Sequence, residues 1–237
     1  MSPWIPRVAL AVLAVGVGYA VYAIAVGEGG PQAVDIEGRP EVQNLIAGIR
    51  QEEERLGSPD AAVEIDLFTD LRAVPAAEFQ LEVVDPVIEE YVRSDRALIN
   101  LRHFSFGRTG VTEAAIAADA AGSQGHQWQY AELVLRNLGE AGQAGVDEEF
   151  LNEIAEVTPG LDQDEWEAEF EDQLNRQRED PDYVSTVDAD GELAAELKLP
   201  AQPVLVVTGP GGSETLDDEP TVDEVRLAIE RVEVPTS

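Results

Sequence analysis

Phe68-Thr69-Asp70-Leu71-Arg72-Ala73-Val74-Pro75-Ala76-Ala77-Glu78-Phe79 is the stretch on which the reading of this chain turns. Before it, Val63 to Phe68 forms an apolar run of strand character. After it, Phe79, Val83, Val84, Val87, Ile88 and Tyr91 form one broad apolar face on a helix reaching about Arg93. Pro75 suits the first turn of that helix, where its missing N–H costs nothing, whereas Pro86 falls in the interior and predicts a kink. A strand that feeds a helix N-terminus is a natural place for chemistry, because the first N–H groups are free and the dipole favours negative charge.

Outward from this stretch, Ala97 to Phe104 reads as a second strand. The three elements form a β-α-β unit with parallel strands and a right-handed crossover. From Val111 to about Asp180 the pattern is helical. It runs through an alanine-rich segment (Ala114–Ala121), a segment from Trp128 to Leu138, a helix capped by Asp147, and an acidic helix over Asp162–Leu174. A helix near Ser185–Leu197 follows. Val204–Val207 and Glu214–Leu216 then flank the hairpin turn Gly209-Pro210-Gly211-Gly212, and a helix over Thr221–Val232 closes the domain. The predicted class is α/β, with a helical insertion at about residues 107–182.

This order of elements resembles the thioredoxin fold with the insertion of the DsbA-like thiol-disulfide oxidoreductases. Phe68, Asp70 and Phe79 match the family's Phe-x-Asp-x-x-Cys-Pro-x-Cys-x-x-Phe frame. Gly57-Ser58-Pro59-Asp60-Ala61-Ala62-Val63 is similar to its Gly-x-Pro-x-Ala-x-Val strand entry, and Gln124-Gly125-His126-Gln127-Trp128 to its Gln-Gly-x-x-Trp helix. Val146–Ala155 is similar to its acidic, Phe-containing insertion helix. Gln202-Pro203 stands where the family places the residue and cis-proline that face its cysteines. The resemblance covers residues 57–232 and implies thiol-disulfide exchange, yet the two cysteines fall on Ala73 and Ala76. Exchange requires a thiolate, and the chain has no cysteine at all. A degenerate, redox-inactive member is therefore expected.

What the resemblance leaves is a groove. In related domains the proline loop pairs its backbone with an extended peptide, so Ala73, Val74, Pro75, Ala76, Gln202 and Pro203 are the candidate binding residues and no residue is expected to be catalytic. Two other readings stand beside this one. The chain could work with a partner's thiols in an oxidoreductase system, or serve as a structural subunit of a membrane complex.

Residues Val8 to Val26 carry no charge, and a run of about 19–20 such residues spans a ~30 Å hydrocarbon core as a helix. Arg7 precedes it and acidic sequence follows Glu28. The positive-inside bias thus places the N-terminus in the cytoplasm and the bulk outside. The run is longer than the apolar region of a signal peptide, the competing reading, and no clear Ala-x-Ala site follows it. Residues 1–27 are accordingly expected to be a single-pass anchor in the cell membrane. Residues 28–56 would be a tether with an amphipathic helix over Glu41–Leu56, and residues 233–237 a tail.

The net charge of −33, from 48 acidic against 15 basic residues, argues against nucleic acid or anionic lipid as partners. An envelope protein or an extended polypeptide fits better. No cofactor and no metal are expected. His103 and His126 read as packed or surface side chains, because two distant histidines do not make a zinc site. Asp188-x-Asp190-Gly191 fails as a calcium loop, since Thr186 and Leu197 occupy the first and closing ligand positions. Asp70 reads as a helix-start carboxylate stabilised by free N–H groups.

Overall fold

A computed structural model describes residues 36–105, 112–141, 146–180, 183–200, 203–217 and 219–235. The Val8–Val26 run, Ala201 and Gln202 lie outside the described residues. Among the described residues no helix is long and apolar enough to cross a membrane.

Six strands make one sheet: β1 (Gln51–Glu52), β2 (Arg55–Gly57), β3 (Val63–Thr69), β4 (Ala97–His103), β5 (Val204–Gly209) and β6 (Gly212–Leu216), in spatial order β1-β2-β4-β3-β5-β6. β3 and β4 run parallel, with Val63 opposite Ala97 and Thr69 opposite His103. β3 also pairs antiparallel with β5, Phe68 lying opposite Val204. Val63, Ile65, Leu67, Ala97, Ile99 and Leu101 turn to the core, while Glu64, Asp66, Asn100 and Arg102 alternate with them on the other face.

Helix α1 (Arg39–Ile46) precedes the sheet. Helix α2 opens at Val74–Phe79 and joins β3 to β4. The kink expected at Pro86 takes the form of two wider, π-type stretches, Gln80–Val84 and Ile88–Val92, with one α-helical turn, Asp85–Val87, between them. Pro86 lacks the N–H that would bond the carbonyl four residues back, so the regular ladder cannot pass through it. The insertion comprises α3 (Glu113–Gly122), α4 (Gln127–Ala141), α5 (Glu148–Val157) and α6 (Gln163–Glu179). α7 (Thr186–Leu197) leads back to β5, and α8 (Val222–Glu233) closes the fold. The expected cap at Asp147 forms, accepting from the Phe150 N–H at 3.0 Å, and Ser185 and Thr221 in addition build capping boxes with Asp188 and Glu224.

The helix expected over Glu41–Leu56 is corrected. It ends at Ile46, and Gln51–Gly57 turns into the β1–β2 hairpin, with Leu56 opposite Ile99. Leu56 is buried as a strand residue of the sheet, so its place in a 3.6-residue pattern was coincidental. Gly57 has φ of +118°, and a Cβ there would meet Val92 at 2.9 Å and the Ala97 carbonyl oxygen at 3.0 Å. Only glycine lets the chain pass so close to β4 at that angle.

The insertion is tied down by aromatic packing. Tyr130, Trp166 and Phe170 stack with centroids 5.7 and 5.1 Å apart, and the Trp166 indole N–H donates to the Ala117 carbonyl at 2.8 Å. Trp128 donates likewise to the Glu54 carbonyl at 2.8 Å, which fastens α4 to the hairpin.

Candidate functional site

The strand β3 carries the chain to Thr69, and Asp70-Leu71-Arg72 turns it into α2. Ala73 is the N-cap, in extended conformation, and no side chain caps the helix. The Ala76 N–H closes the turn on the Ala73 carbonyl at 2.9 Å. Ala76 is buried (2% exposed) and Ala73 half-buried, while Val74 stands out with 42% of its surface exposed and Pro75 is exposed beside it. The alanine turn therefore carries a short apolar ledge.

Pro203 immediately precedes Val204, whose partner is Phe68. The β3–β5 register thus places Pro203 level with Thr69, at the sheet end where the alanine turn begins. Pro203 is buried. The candidate residues Ala73, Val74, Pro75, Ala76 and Pro203 fall at one end of the sheet, as the register requires. Gln202 lies outside the described residues.

Asp70 is more firmly engaged than a simple helix-start carboxylate. It accepts the Arg72 backbone N–H at 3.0 Å, the Arg72 guanidinium at 3.3 and 3.4 Å, and the Ser105 hydroxyl at 2.8 Å. Burial alone would push its pKa up. The Arg72 and Ser105 hydrogen bonds outweigh burial and hold it below the ordinary carboxylate range. Asp70 is thus a fixed anion that braces the turn, a role unlike that of a proton-transfer group.

Behind the turn lies a polar layer whose arrangement the sequence did not disclose. Arg102 on β4 reaches Asp66 at 2.8 Å and both Glu54 and Asp190 at 3.4 Å, while Asn100 donates to Glu64 and Asp66 at 2.8 and 2.9 Å. Asp190, buried on α7, accepts the His103 backbone N–H at 2.8 Å. Burial nonetheless pushes its pKa up to about 7, against the lowering effects of that N–H and of Arg102. The period-2 alternation of Glu64, Asp66, Asn100 and Arg102 was the available signal, but partners from α7 and the β1–β2 hairpin could not be read from it.

His103 ends β4, buried to 4% exposure, and burial holds its pKa down at about 4. Its ring is neutral at neutral pH. It lines a cavity of about 360 Å³ with Thr69, Asp70, Leu71, Ser105, Ala115 of α3 and the Val187–Ala195 face of α7. His126, in contrast, packs against Gly160. Asp188 is spent on the cap of α7 and Asp190 on Arg102 and His103, so the two do not converge on a common point. Among the described residues no three acidic or histidine side chains are grouped as metal ligands would be.

A family model described as Thioredoxin matches residues 50–231. Solved structures share the fold. BdbD from Bacillus subtilis, in its oxidised form, aligns with TM-score 0.59 and 16% identity over 78% of this chain and 96% of its own. DsbA from Chlamydia trachomatis gives 0.61 and 20% over 75% and 90%. MdbA from Corynebacterium diphtheriae, a thiol-disulfide oxidoreductase, gives 0.53 and 20% over 67% and 85%. No curated protein sequence matches the chain.

Proposed function

Since the chain belongs to the thioredoxin family, and has the DsbA-like fold with no cysteine in it, we propose that it is a redox-inactive binding module that holds extended polypeptide at its alanine turn. The observation that carries this reading is the exposed ledge of Val74 and Pro75, set at the end of the sheet that also bears Pro203. Buried Ala76 and half-buried Ala73 take the thiol positions, so the site keeps its shape and loses its nucleophile. Backbone beside the proline, with Gln202 next to it in sequence, pairs with a peptide strand in the manner of β-augmentation, and the ledge receives an apolar side chain. Without a covalent step, affinity comes from a few hydrogen bonds and a small buried area, which sets it in the micromolar class.

The same reading places the domain outside the cytoplasm, anchored by Val8–Val26, with an envelope protein as the natural source of the polypeptide. An uncleaved anchor keeps the protein in membranes through high-salt and carbonate washing. A mature N-terminus near Glu28 would instead identify a cleaved signal.

The binding role is tested by calorimetric titration of an unfolded, cysteine-free polypeptide into the domain and into Val74→Asp, with insulin reduction measured alongside. Saturable binding that Val74→Asp weakens, with no reductase activity above buffer, is the expected result. Turnover of disulfides, or equal binding by Val74→Asp, contradicts it.

A further inference from the structure

The middle of α2 is held to α4 by side chains that the groove does not use. Gln80 follows the Val74–Phe79 stretch, and its backbone N–H bonds the Ala76 and Ala77 carbonyls, so it closes the helical segment that carries the alanine turn. Its buried side-chain amide donates at 2.6 Å to Glu132 of α4 and at 3.3 Å to Asp85 of α2. Arg136, one turn beyond Glu132, pairs with Asp85 and lies 3.3 Å from Glu132. Two carboxyls from two helices thus share one amide and one guanidinium, where Gln80–Val84 widens into a π-type stretch. Such stretches are frequent where a helix serves a function.

The charges in this joint do not balance. Glu132 is 1% exposed, and its Oε2 receives no hydrogen bond, because the Arg136 Nε–H, 3.3 Å away, is not aligned on it. A buried carboxylate oxygen without a donor is costly, and much of that cost is relieved when the carboxyl holds a proton. The residues that α1, α5 and α8 bury are apolar, as are those of α3 and the core-facing Ala97, Ile99 and Leu101 of β4. Asp119 of α3 bonds Gln173, His103 reaches α4 at Gln127, and Arg226 of α8 is taken by Glu90 and Asp223. On α2 itself Glu78, Glu82, Glu89 and Glu90 are exposed. Asp85, Glu132 and Arg136 are therefore the charged groups that face one another, two acids against one base. Burial and the Asp85 charge push the Glu132 pKa well above the ordinary carboxylate range, and burial raises Asp85 against the pull of Arg136.

From this arrangement we propose that Gln80, Asp85, Glu132 and Arg136 form a proton-linked latch between α2 and α4, which holds the helix behind the alanine turn. While one proton lies between the two carboxyls, Arg136 balances the remaining carboxylate and the latch is closed. When that proton leaves, two anions face a single guanidinium, and the excess charge is relieved by drawing Gln80 and Asp85 away from α4. Arg136 is not free to follow, because its stem packs against Gly38 ahead of α1, where an added Cβ would lie 2.9 Å from its Cδ. Movement of Gln80 shifts its bonds to the Ala76 and Ala77 carbonyls, so the turn is better ordered below the midpoint of the latch than above it. The folded chain keeps a proton that an unfolded glutamate releases near pH 4.5. The contribution of the latch is thus full at acid pH and is lost as pH rises through the folded midpoint.

The test follows backbone amide signals of the full chain by NMR from about pH 5 to 9, in the parent, in Glu132→Gln and in Asp85→Asn. In the parent, Gln80, Asp85 and Glu132 are expected to titrate with one midpoint in that range, and Ala76 and Ala77 with the same midpoint. Glu132→Gln keeps an acceptor for Gln80 and cannot ionise, so the midpoint should vanish from α2 and its signals stay near their acid positions. Asp85→Asn leaves Arg136 with one carboxylate, and the midpoint should fall by about one pH unit or more, a tenfold loss of proton affinity. Asp190 and Asp119, raised by burial elsewhere in the fold, titrate in every folded sample, and if one variant does not fold the other decides. An absent midpoint on α2 in the parent, or one that a folded variant leaves unchanged, overturns the proposal. A further arm, which rests on the groove reading above, titrates the cysteine-free polypeptide at both ends of the pH range. Its affinity should weaken by about fivefold or more across the midpoint in the parent and stay constant in Glu132→Gln. Constant affinity in the parent overturns the coupling to the turn. Absence of binding at every pH contradicts the groove reading alone, since the amide titration decides the latch without any ligand.

Discussion

Restoring the missing thiols, by Ala73→Cys with Ala76→Cys, tests whether the alanine turn retains the geometry of its family. The Ala76 N–H bonds the Ala73 carbonyl at 2.9 Å, so the two positions share one tight turn at the start of α2. A disulfide here closes a loop of about four residues, and the chain-entropy relation gives about 2 kcal/mol of stabilisation for the oxidised form. The introduced thiol at position 73 lies half-buried at an uncapped helix N-terminus, with the nearby Asp70 carboxylate paired to Arg72. A helix terminus favours an anion by about 1 kcal/mol, which lowers that thiol's pKa below its ordinary value. Thiol counting in a glutathione redox buffer, thiolate absorbance against pH, and urea melts of both redox forms provide the measurements. Closure of the pair with a melting difference of about 2 kcal/mol is expected. Two thiols that remain free under oxidising conditions, or identical melts, would refute the placement of the turn.

Other outcomes follow from the polar layer and the core. Asp190 has its folded pKa raised to about 7 by burial. The folded chain therefore holds a proton that the unfolded chain gives up near pH 4, and stability is lost as pH rises through that window at about 1.4 kcal/mol per pH unit. Asp190→Asn cannot lose that proton, so its stability relative to the parent should rise by about 3 kcal/mol between about pH 5 and 8 in urea melts. A constant difference would show that Arg102 and the His103 N–H keep Asp190 ionised. Trp166→Ala removes the middle ring of the Tyr130–Trp166–Phe170 stack and the indole bond to Ala117, and should cost about 3–5 kcal/mol. A loss below about 1 kcal/mol would place the insertion's stability elsewhere. Gly57→Ala should also destabilise, by more than about 1 kcal/mol, because a Cβ there collides with Val92 and the Ala97 carbonyl at positive φ.

Much of the architecture was legible because local signals agreed with one another. Val63–Phe68 and Ala97–Phe104 read as the two strands of a β-α-β unit, and Pro75, Asp147, Ser185 and Thr221 stood at helix starts that the structure contains. Leu56 was misplaced because one buried leucine fits a helical period and a strand equally well. Gly48, before the hairpin, and Gly57, at the end of β2, both take positive φ and carried the decisive information. The site was only half legible. That the candidate residues Ala73, Val74, Pro75, Ala76 and Pro203 lie at one end of the sheet follows from strand register, whereas the burial of His103 and Asp190 depends on α7 folding back over β4. That contact joins residues about 90 apart in sequence, and no spacing rule reaches so far.

The central claim, that this cysteine-free turn still receives extended polypeptide, is tested most directly by mapping backbone amide shifts during titration with an unfolded polypeptide that contains no cysteine. The account predicts perturbations concentrated at Ala73, Val74, Ala76, Val204 and the neighbouring end of β3, growing saturably into the micromolar range. Perturbations confined to α1, the β1–β2 hairpin or the insertion, with the alanine turn silent, would contradict it.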